Sequence, residues 1–144
     1  MYSISIYEPL VVSNEWMPFQ EIHPHERVVK ERHKALQKYL ESLKPYAILP
    51  SIIICDDSNV IIDGHHRYFS LVELGFKMIP STKINYNNAS VITDLENSIP
   101  KNTIIDAGLS NELLEPKTSF HHIRDYNHKP HPIILISSLF KLDF

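Results

Sequence analysis

At residues 60–68 the chain reads Val60-Ile61-Ile62-Asp63-Gly64-His65-His66-Arg67-Tyr68. An apolar run ends in an acid and a glycine, and a helical pattern follows. This order predicts a strand, a tight turn and a helix. Glycine lets the backbone of such a turn approach a ligand closely, and the helix start offers free N–H groups and a positive dipole end. His65, His66 and Arg67 add donors and positive charge. The stretch predicts a phosphate-binding turn, the alternative being a hairpin and helix with merely exposed polar residues.

Composition narrows the class of protein. A chain of 144 residues that is 43% hydrophobic predicts one folded domain over residues 1–144. A net charge of −3 does not favour non-specific binding to nucleic acid or to an anionic membrane. The sequence has no apolar run of transmembrane length and no signal-peptide pattern at its start, so we expect a cytoplasmic location. The single cysteine, Cys55, lies in an apolar run and is expected to be buried.

The hydrophobic periodicity predicts an α+β fold in which helices pack on a small mixed sheet. Helices are expected at about 26–44, 65–74 and 101–109, and strands at 3–7, 48–55, 60–62, 78–86 and 133–136. Residues 11–12 read as an added strand or a packed loop, residues 14–24 as irregular, and residues 90–97 as a strand end or one helical turn. The 48–55 and 60–62 strands should form a hairpin, and Pro80 should place the 78–86 strand at an edge or delay its start.

Two further polar clusters flank this region. In His23-Pro24-His25-Glu26, Glu26 is either a general base for a substrate hydroxyl or a carboxylate that only compensates a helix dipole. In residues 116–122, the run Lys117-Thr118-Ser119-Phe120-His121 supplies an ammonium, two hydroxyls and an imidazole, which suit a carboxylate or phosphate. A polar surface loop is the alternative there, and the residues alone favour it.

The nine histidines raise the question of a zinc site. None of the histidine pairs in these clusters has the i, i+4 spacing of a zinc-binding helix, and Cys55 has no cysteine partner. The sequence therefore predicts neither a structural zinc site nor a nucleophilic cysteine, since a buried thiol ionises poorly.

The three clusters in this order resemble the ParB/sulfiredoxin fold, and within it the free serine kinases, which phosphorylate L-serine to O-phospho-L-serine. The resemblance spans roughly residues 22–142, and its specific part is the Asp-Gly-His-His-Arg element. Sulfiredoxins carry their catalytic cysteine where this chain has His65. Chromosome-partitioning ParB proteins have a different arginine-rich box and an added helix-turn-helix domain. The resemblance implies a ParB/sulfiredoxin-like α+β domain and a phosphotransferase that uses ADP or ATP with Mg²⁺.

The resemblance also implies roles for particular residues. Glu26 would take the proton of the serine hydroxyl, and Asp63 would lie near the transferred phosphoryl group or its Mg²⁺. The nucleotide phosphates would be held by Gly64, His65, His66 and Arg67, and the amino acid or its product by Thr118, Ser119 and His121, with Lys117 nearby.

Two departures from the family pattern bear on the acceptor. The last motif usually reads Lys-Ser-Thr-x-His after two prolines, whereas here the hydroxyl residues are swapped and Glu115 replaces a proline. The segment between Tyr86 and Pro100 is also short. We therefore expect the acceptor to be L-serine or a similar small hydroxyl compound. The alternative function is a non-catalytic ParB-like nucleotide-binding or DNA-associated regulatory module; the acidic balance and Glu26 favour the enzyme.

Overall fold

The structure is a computed structural model that describes residues 4–6, 8–93, 99–116 and 119–144. Within these residues the chain forms three α-helices and nine strands, so the predicted α+β class is confirmed. Their order is β1 (Val11–Pro18), α1 (Lys30–Ser42), β2 (Tyr46–Pro50), β3 (Ile52–Cys55), β4 (Ile61–Asp63), α2 (His65–Glu73), β5 (Met78–Ile84), β6 (Val91–Ile92), α3 (Lys101–Ser110), β7 (His122–Arg124), β8 (Pro130–Pro132) and β9 (Leu139–Asp143).

The main sheet has the strand order β1-β5-β3-β4. Strand β3 runs parallel to β5 and antiparallel to β4, so the sheet is mixed and the predicted hairpin of β3 and β4 is confirmed. Two small sheets, β2-β9 and β6-β7-β8, complete the strand pairing of the described residues. The turn after β4 leads directly into α2, as the sequence predicts.

Strand β3 separates two hydrophobic cores. Ile52 and Ile54 belong to a core with residues of α1, α2 and β9, whereas Ile53 and Cys55 belong to a core with residues of α3 and β7. Residues 52–55 are all at most 6% exposed. A run that is apolar at every position is what a strand covered on both faces requires, and burial of Cys55 is confirmed.

Two strand predictions are wrong. Residues 48–55 form two strands in different sheets, because Ser51 interrupts the run and its backbone N–H bonds to Ser138. Strand β5 is central rather than at an edge, since it lies between β1 and β3. The sheet accommodates Pro80 because pairing with β3 begins one residue later, at Ser81.

The boundaries of several other strands and helices also differ from those predicted from the sequence. Residues 11–18 form one continuous strand paired with β5, where residues 14–24 are expected to be irregular. Helix α1 begins at Lys30 rather than near residue 26, because the preceding segment bridges to Val60 and Leu114. Residues 133–136 form a 3-10 helix, and the closing strand is β9. Of the expected 3–7 strand, residues 4–6 lie in no strand and the rest lies outside the described residues. Of residues 90–97, 91–92 form β6 and 94–97 lie outside the described residues.

No helix among the described residues is long and apolar enough to span a bilayer.

The two-sided burial of β3 predicts a large stability effect there. Ile54→Ala removes a fully buried side chain and should lower the free energy of unfolding by about 2–5 kcal/mol. Ile48→Ala, on a strand residue that is 67% exposed, should cost less than about 1 kcal/mol. Urea unfolding of the two variants measures both values; equal losses would contradict this assignment of the core.

Candidate functional site

The turn between β4 and α2 depends on Gly64. Its φ is +104°, in the left-handed region that side chains rarely adopt. A Cβ at this position would lie 2.7 Å from Nη2 of Arg67 and 2.9 Å from Cγ2 of Ile52. Glycine is therefore required both by the backbone conformation and by the close approach of the Arg67 side chain.

A cleft of about 180 Å³ opens beside this turn. It brings together seven of the residues that sequence analysis singles out, from all three clusters. The residues lining the cleft are Glu26, Arg32, Ile62, Asp63, Gly64, His65, His66, Arg67, Ser119 and Phe120.

Arg67 supplies a fixed positive charge. Its Nη2 donates to the backbone oxygen of Ser51 at 3.1 Å and lies 3.4 Å from Oδ2 of Asp63. Burial lowers the pKa of the guanidinium, and the Asp63 carboxylate opposes that effect, but an arginine remains protonated at any physiological pH. Its buried Nε has no hydrogen-bond partner among the described residues. The guanidinium thus lies beside the turn, paired with Asp63.

His65 and His66 use one ring nitrogen each as an acceptor. The backbone N–H of His25 donates to Nε2 of His65 at 3.1 Å, and that of Val29 donates to Nε2 of His66 at 3.1 Å. Burial, and then the nearby rings and Arg67, lower the pKa of His65 well below its ordinary value. His65 is therefore neutral and adds no positive charge, in contrast to the prediction from sequence. The two histidines attach the segment 25–29 to the start of α2.

Glu26 reaches the cleft from that segment. The backbone around it is held by two hydrogen bonds with Leu114, from Arg27 N–H to Leu114 O and from Leu114 N–H to His25 O, both 2.8 Å. The residue is only 7% exposed, yet it lines the cleft. Oε2 of Glu26 accepts a hydrogen bond from the Ser119 hydroxyl at 2.7 Å. A carboxylate so placed can receive a proton from a molecule bound beside the turn.

His121 lies outside the lining of the cleft. It is buried, and its Nε2 forms a 2.8 Å hydrogen bond with the Tyr86 hydroxyl. Burial lowers its pKa to about 3, so the ring is neutral. Its predicted contact with the substrate stays a prediction. Lys117 and Thr118, predicted with it, lie outside the described residues.

Three residues at or beside the cleft were not predicted from the sequence to be part of the site. Arg32 and Phe120 line the cleft, and the ring of His25 contacts Ser119. Arg32 could have been noticed only with α1 starting at Lys30, which places it in the first turn of that helix. His25 stands next to Glu26 in the sequence, but nothing in the pattern indicates which of the two faces inward.

No group of three or more His, Cys, Asp or Glu residues in the described part of the chain is arranged to hold a metal ion. Asp63 offers an accessible carboxylate at the cleft, with its side chain 36% exposed. Protein Mg²⁺ sites that serve nucleotides commonly use one or two carboxylates together with the phosphates themselves. Asp63 therefore fits a Mg²⁺ ion that arrives with a nucleotide.

Comparison with known proteins gives relatives over about half of the chain. No protein-family model matches it. It is 35% identical over 77 residues to a ParB-like protein of Sulfolobus acidocaldarius, covering 54% of this chain and 37% of that protein. It is 34% identical over 70 residues to an ATP-dependent L-serine kinase of Staphylothermus marinus, covering 47% of this chain and 28% of that one. For an ADP-dependent L-serine kinase of Thermococcus kodakarensis the identity is 32% over 76 residues, covering 49% of this chain and 30% of that one.

Solved structures extend the comparison to the fold. A conserved hypothetical protein from Pyrococcus furiosus superposes with a TM-score of 0.50 at 22% identity, over 63% of this chain and 39% of that one. A free serine kinase in complex with AMP gives a TM-score of 0.49 at 24% identity, over 64% of this chain and 38% of that one. The matches span only about a third of the length of the curated relatives. The chain is thus similar over about half of its length to a ParB-like protein and to L-serine kinases.

The geometry of the turn predicts different outcomes for two glycines. Gly64 and Gly75 both have positive φ, but a Cβ at Gly75 would meet nothing within 4 Å. Gly75→Ala should therefore cost only the left-handed backbone penalty, about 1–2 kcal/mol. Gly64→Ala should cost roughly 1–3 kcal/mol more, because Ile52 and Arg67 must move. Urea unfolding measures the difference, and equal costs would contradict the close packing of Arg67 over the turn.

Proposed function

We propose that this protein is a nucleotide-dependent kinase that transfers a phosphoryl group to free L-serine, or to a similar small hydroxyl compound, and so forms O-phospho-L-serine. The observation that carries the proposal is that one cleft holds both the Gly64–Arg67 turn and the buried carboxylate of Glu26. The similarity to ATP-dependent and ADP-dependent L-serine kinases supports it. Donor and acceptor sites must adjoin in such an enzyme, because phosphoryl transfer depends on positioning and charge neutralisation.

The nucleotide phosphates are assigned to the start of α2. The first intrahelical hydrogen bond runs from Tyr68 N–H to Gly64 O, so the N–H groups of residues 65–67 have no helical acceptor. The positive end of the helix dipole, the Arg67 guanidinium and Arg32 add favourable charge for an anion. His65 contributes as a neutral ring, whose Nδ1–H is the donor that remains because Nε2 accepts. The backbone N–H of Val29 holds the ring of His66 at its Nε2.

Asp63 is the residue proposed to hold Mg²⁺, which supplies charge neutralisation on the phosphates when it is bound with the nucleotide. Ser119, at the same cleft, is proposed to lie near the acceptor, together with Lys117, Thr118 and His121 from the same segment of sequence. The donor is ADP or ATP, since both kinds of serine kinase are among the relatives.

In the proposed step the acceptor hydroxyl oxygen attacks the terminal phosphorus. Glu26 takes the hydroxyl proton, and the electron pair of the O–H bond stays on the attacking oxygen. The bond between the terminal phosphorus and its bridging oxygen breaks, and the shortened nucleotide leaves with that electron pair.

A second function is favoured by one observation, the match to a ParB-like protein at 35% identity. In that case the same cleft would bind a nucleotide without turnover, as part of a regulatory module. The net charge of −3 counts against tight duplex binding by this chain.

The kinase proposal predicts a phosphorus NMR signal. Purified protein with Mg²⁺, L-serine and ADP or ATP should build up a phosphomonoester resonance that matches O-phosphoserine. Glu26→Gln should lower kcat by at least about 100-fold, because it removes the base, while the nucleotide Kd measured by calorimetry stays within about twofold. Glu31→Gln, on the exposed side of α1, is the matched control and should keep full activity.

Two results would contradict the proposal. Full turnover in Glu26→Gln would remove Glu26 from the role of base. Nucleotide binding without a phosphomonoester, with either donor, would favour the regulatory module.

A further inference from the structure

The hydroxyl of Ser119 lies between two acceptors. Its Oγ is 2.7 Å from Oε2 of Glu26 and 2.7 Å from Nε2 of His25. His25 is fully buried, and Glu26 nearly so. A hydroxyl can donate only one hydrogen bond, so the protonation of the two neighbours decides which contacts are made.

The tautomer of His25 follows from its other nitrogen. Nδ1 contacts the backbone oxygen of Ile61, which can only accept, so Nδ1 carries the proton. An imidazolium would carry a proton on Nε2 as well. Burial, however, lowers the pKa of His25 to about 4. The rings of His65 and His121 face it at centroid distances of 4.5 and 6.5 Å and carry no negative charge, and Oε2 of Glu26 lies 3.9 Å from its Nε2. At neutral pH, Nε2 of His25 is therefore a lone pair that competes with Glu26 for the Ser119 proton.

The number of hydrogen bonds that Ser119, His25 and Glu26 form with one another depends on whether Glu26 is protonated. With Glu26 ionised, Ser119 can donate to Glu26 or to His25, but not to both. With Glu26 protonated, its carboxyl O–H can donate to Ser119 Oγ while Ser119 donates to His25. One added proton thus completes both hydrogen bonds. With Glu26 ionised and accepting from Ser119, the buried Nε2 of His25 has no donor among the described residues, which is costly.

We propose that Ser119 and His25 are positioning residues that form a hydrogen-bond relay with Glu26 and stabilise its protonated form, which makes Glu26 a stronger base. The proposal deepens the proposed function and rests on it for the role of Glu26. When the acceptor hydroxyl gives its proton to the Glu26 carboxylate, Ser119 turns its own O–H from Glu26 to His25. The new carboxyl O–H turns from the acceptor to Ser119 Oγ, and no proton passes to His25. The proton leaves Glu26 for solvent through the open cleft when the product departs.

Two replacements of His25 separate the relay from simple packing. Asparagine places its amide near the position of Nδ1, so His25→Asn can still donate to Ile61 O but presents no acceptor to Ser119. Glutamine reaches the position of Nε2, so His25→Gln can offer its amide oxygen to Ser119. In H25N, Ser119 donates to the Glu26 carboxylate alone, which favours the ionised form.

The decisive measurement is the titration of the Glu26 side chain by carbon NMR on the full chain, with the resonance assigned by its loss in Glu26→Gln. The relay predicts that H25N lowers the pKa of Glu26 by about one pH unit, the size of one hydrogen bond, and that H25Q restores most of it. An unchanged pKa in H25N, or the same decrease in H25N and H25Q, would overturn the proposal.

Kinetics give a second test, and they keep the proposal falsifiable if H25N does not fold. Ser119→Ala should lower kcat about tenfold with the KM for nucleotide unchanged, and Ser119→Thr, which keeps the hydroxyl, should restore it. Equal kcat values in S119A and S119T would overturn the relay. If the wild-type protein turns over no acceptor, the proposed function fails, while the NMR titration of H25Q and of Ser119 variants against wild type still decides the relay.

Discussion

The site depends on the left-handed conformation of Gly64 and the guanidinium packed over it. Only a residue without Cβ lets β4 turn directly into α2 while Nη2 of Arg67 lies 2.7 Å from where a Cβ would be. Arg67 in turn donates to the backbone oxygen of Ser51. Ser51 is the residue at which the chain leaves the β2-β9 sheet for the main sheet, so one cation joins the turn, the helix start and the junction of two sheets.

The paired histidines connect this turn to the carboxylate. Each accepts a hydrogen bond from the backbone of the segment 25–29, and that segment also pairs with Leu114. Glu26 is consequently fixed relative to the N-terminal end of α2 by backbone hydrogen bonds. The histidines therefore act mainly through geometry, because a neutral, buried His65 contributes no charge to the cleft.

The sequence predicted the parts of the fold that local pattern determines. The hairpin, the glycine turn and α2 follow from short-range signals: an apolar run, a glycine and helical spacing. The start of α1 at Lys30, the break at Ser51 and the closing strand β9 do not, because each depends on pairing with residues far away in the chain. The central position of β5 also depends on distant pairing. A proline in a strand predicts an edge strand, and only the register with β3 shows that Pro80 lies outside that pairing.

Much of the candidate site was likewise accessible from sequence, because its residues sit in three short motifs. The sequence pattern could not predict the protonation states and hydrogen bonds of the side chains at the site. The neutral state of His65 comes from burial, and the position of the Ser119 hydroxyl between His25 and Glu26 comes from contacts across more than ninety residues of sequence. The prediction that the chain is a kinase rests on its resemblance to a family and not on periodicity or spacing.

The most direct test of the account is a map of where a nucleotide binds. Amide proton–nitrogen NMR spectra of the labelled protein, titrated with ADP and Mg²⁺, report on each backbone N–H. The account predicts that the largest shifts occur at Gly64, His65, His66 and Arg67, with smaller ones at Glu26 and Ser119. Shifts concentrated elsewhere, for example in the groove formed by Lys44, Phe76 and Phe144, with the turn unaffected, would contradict it.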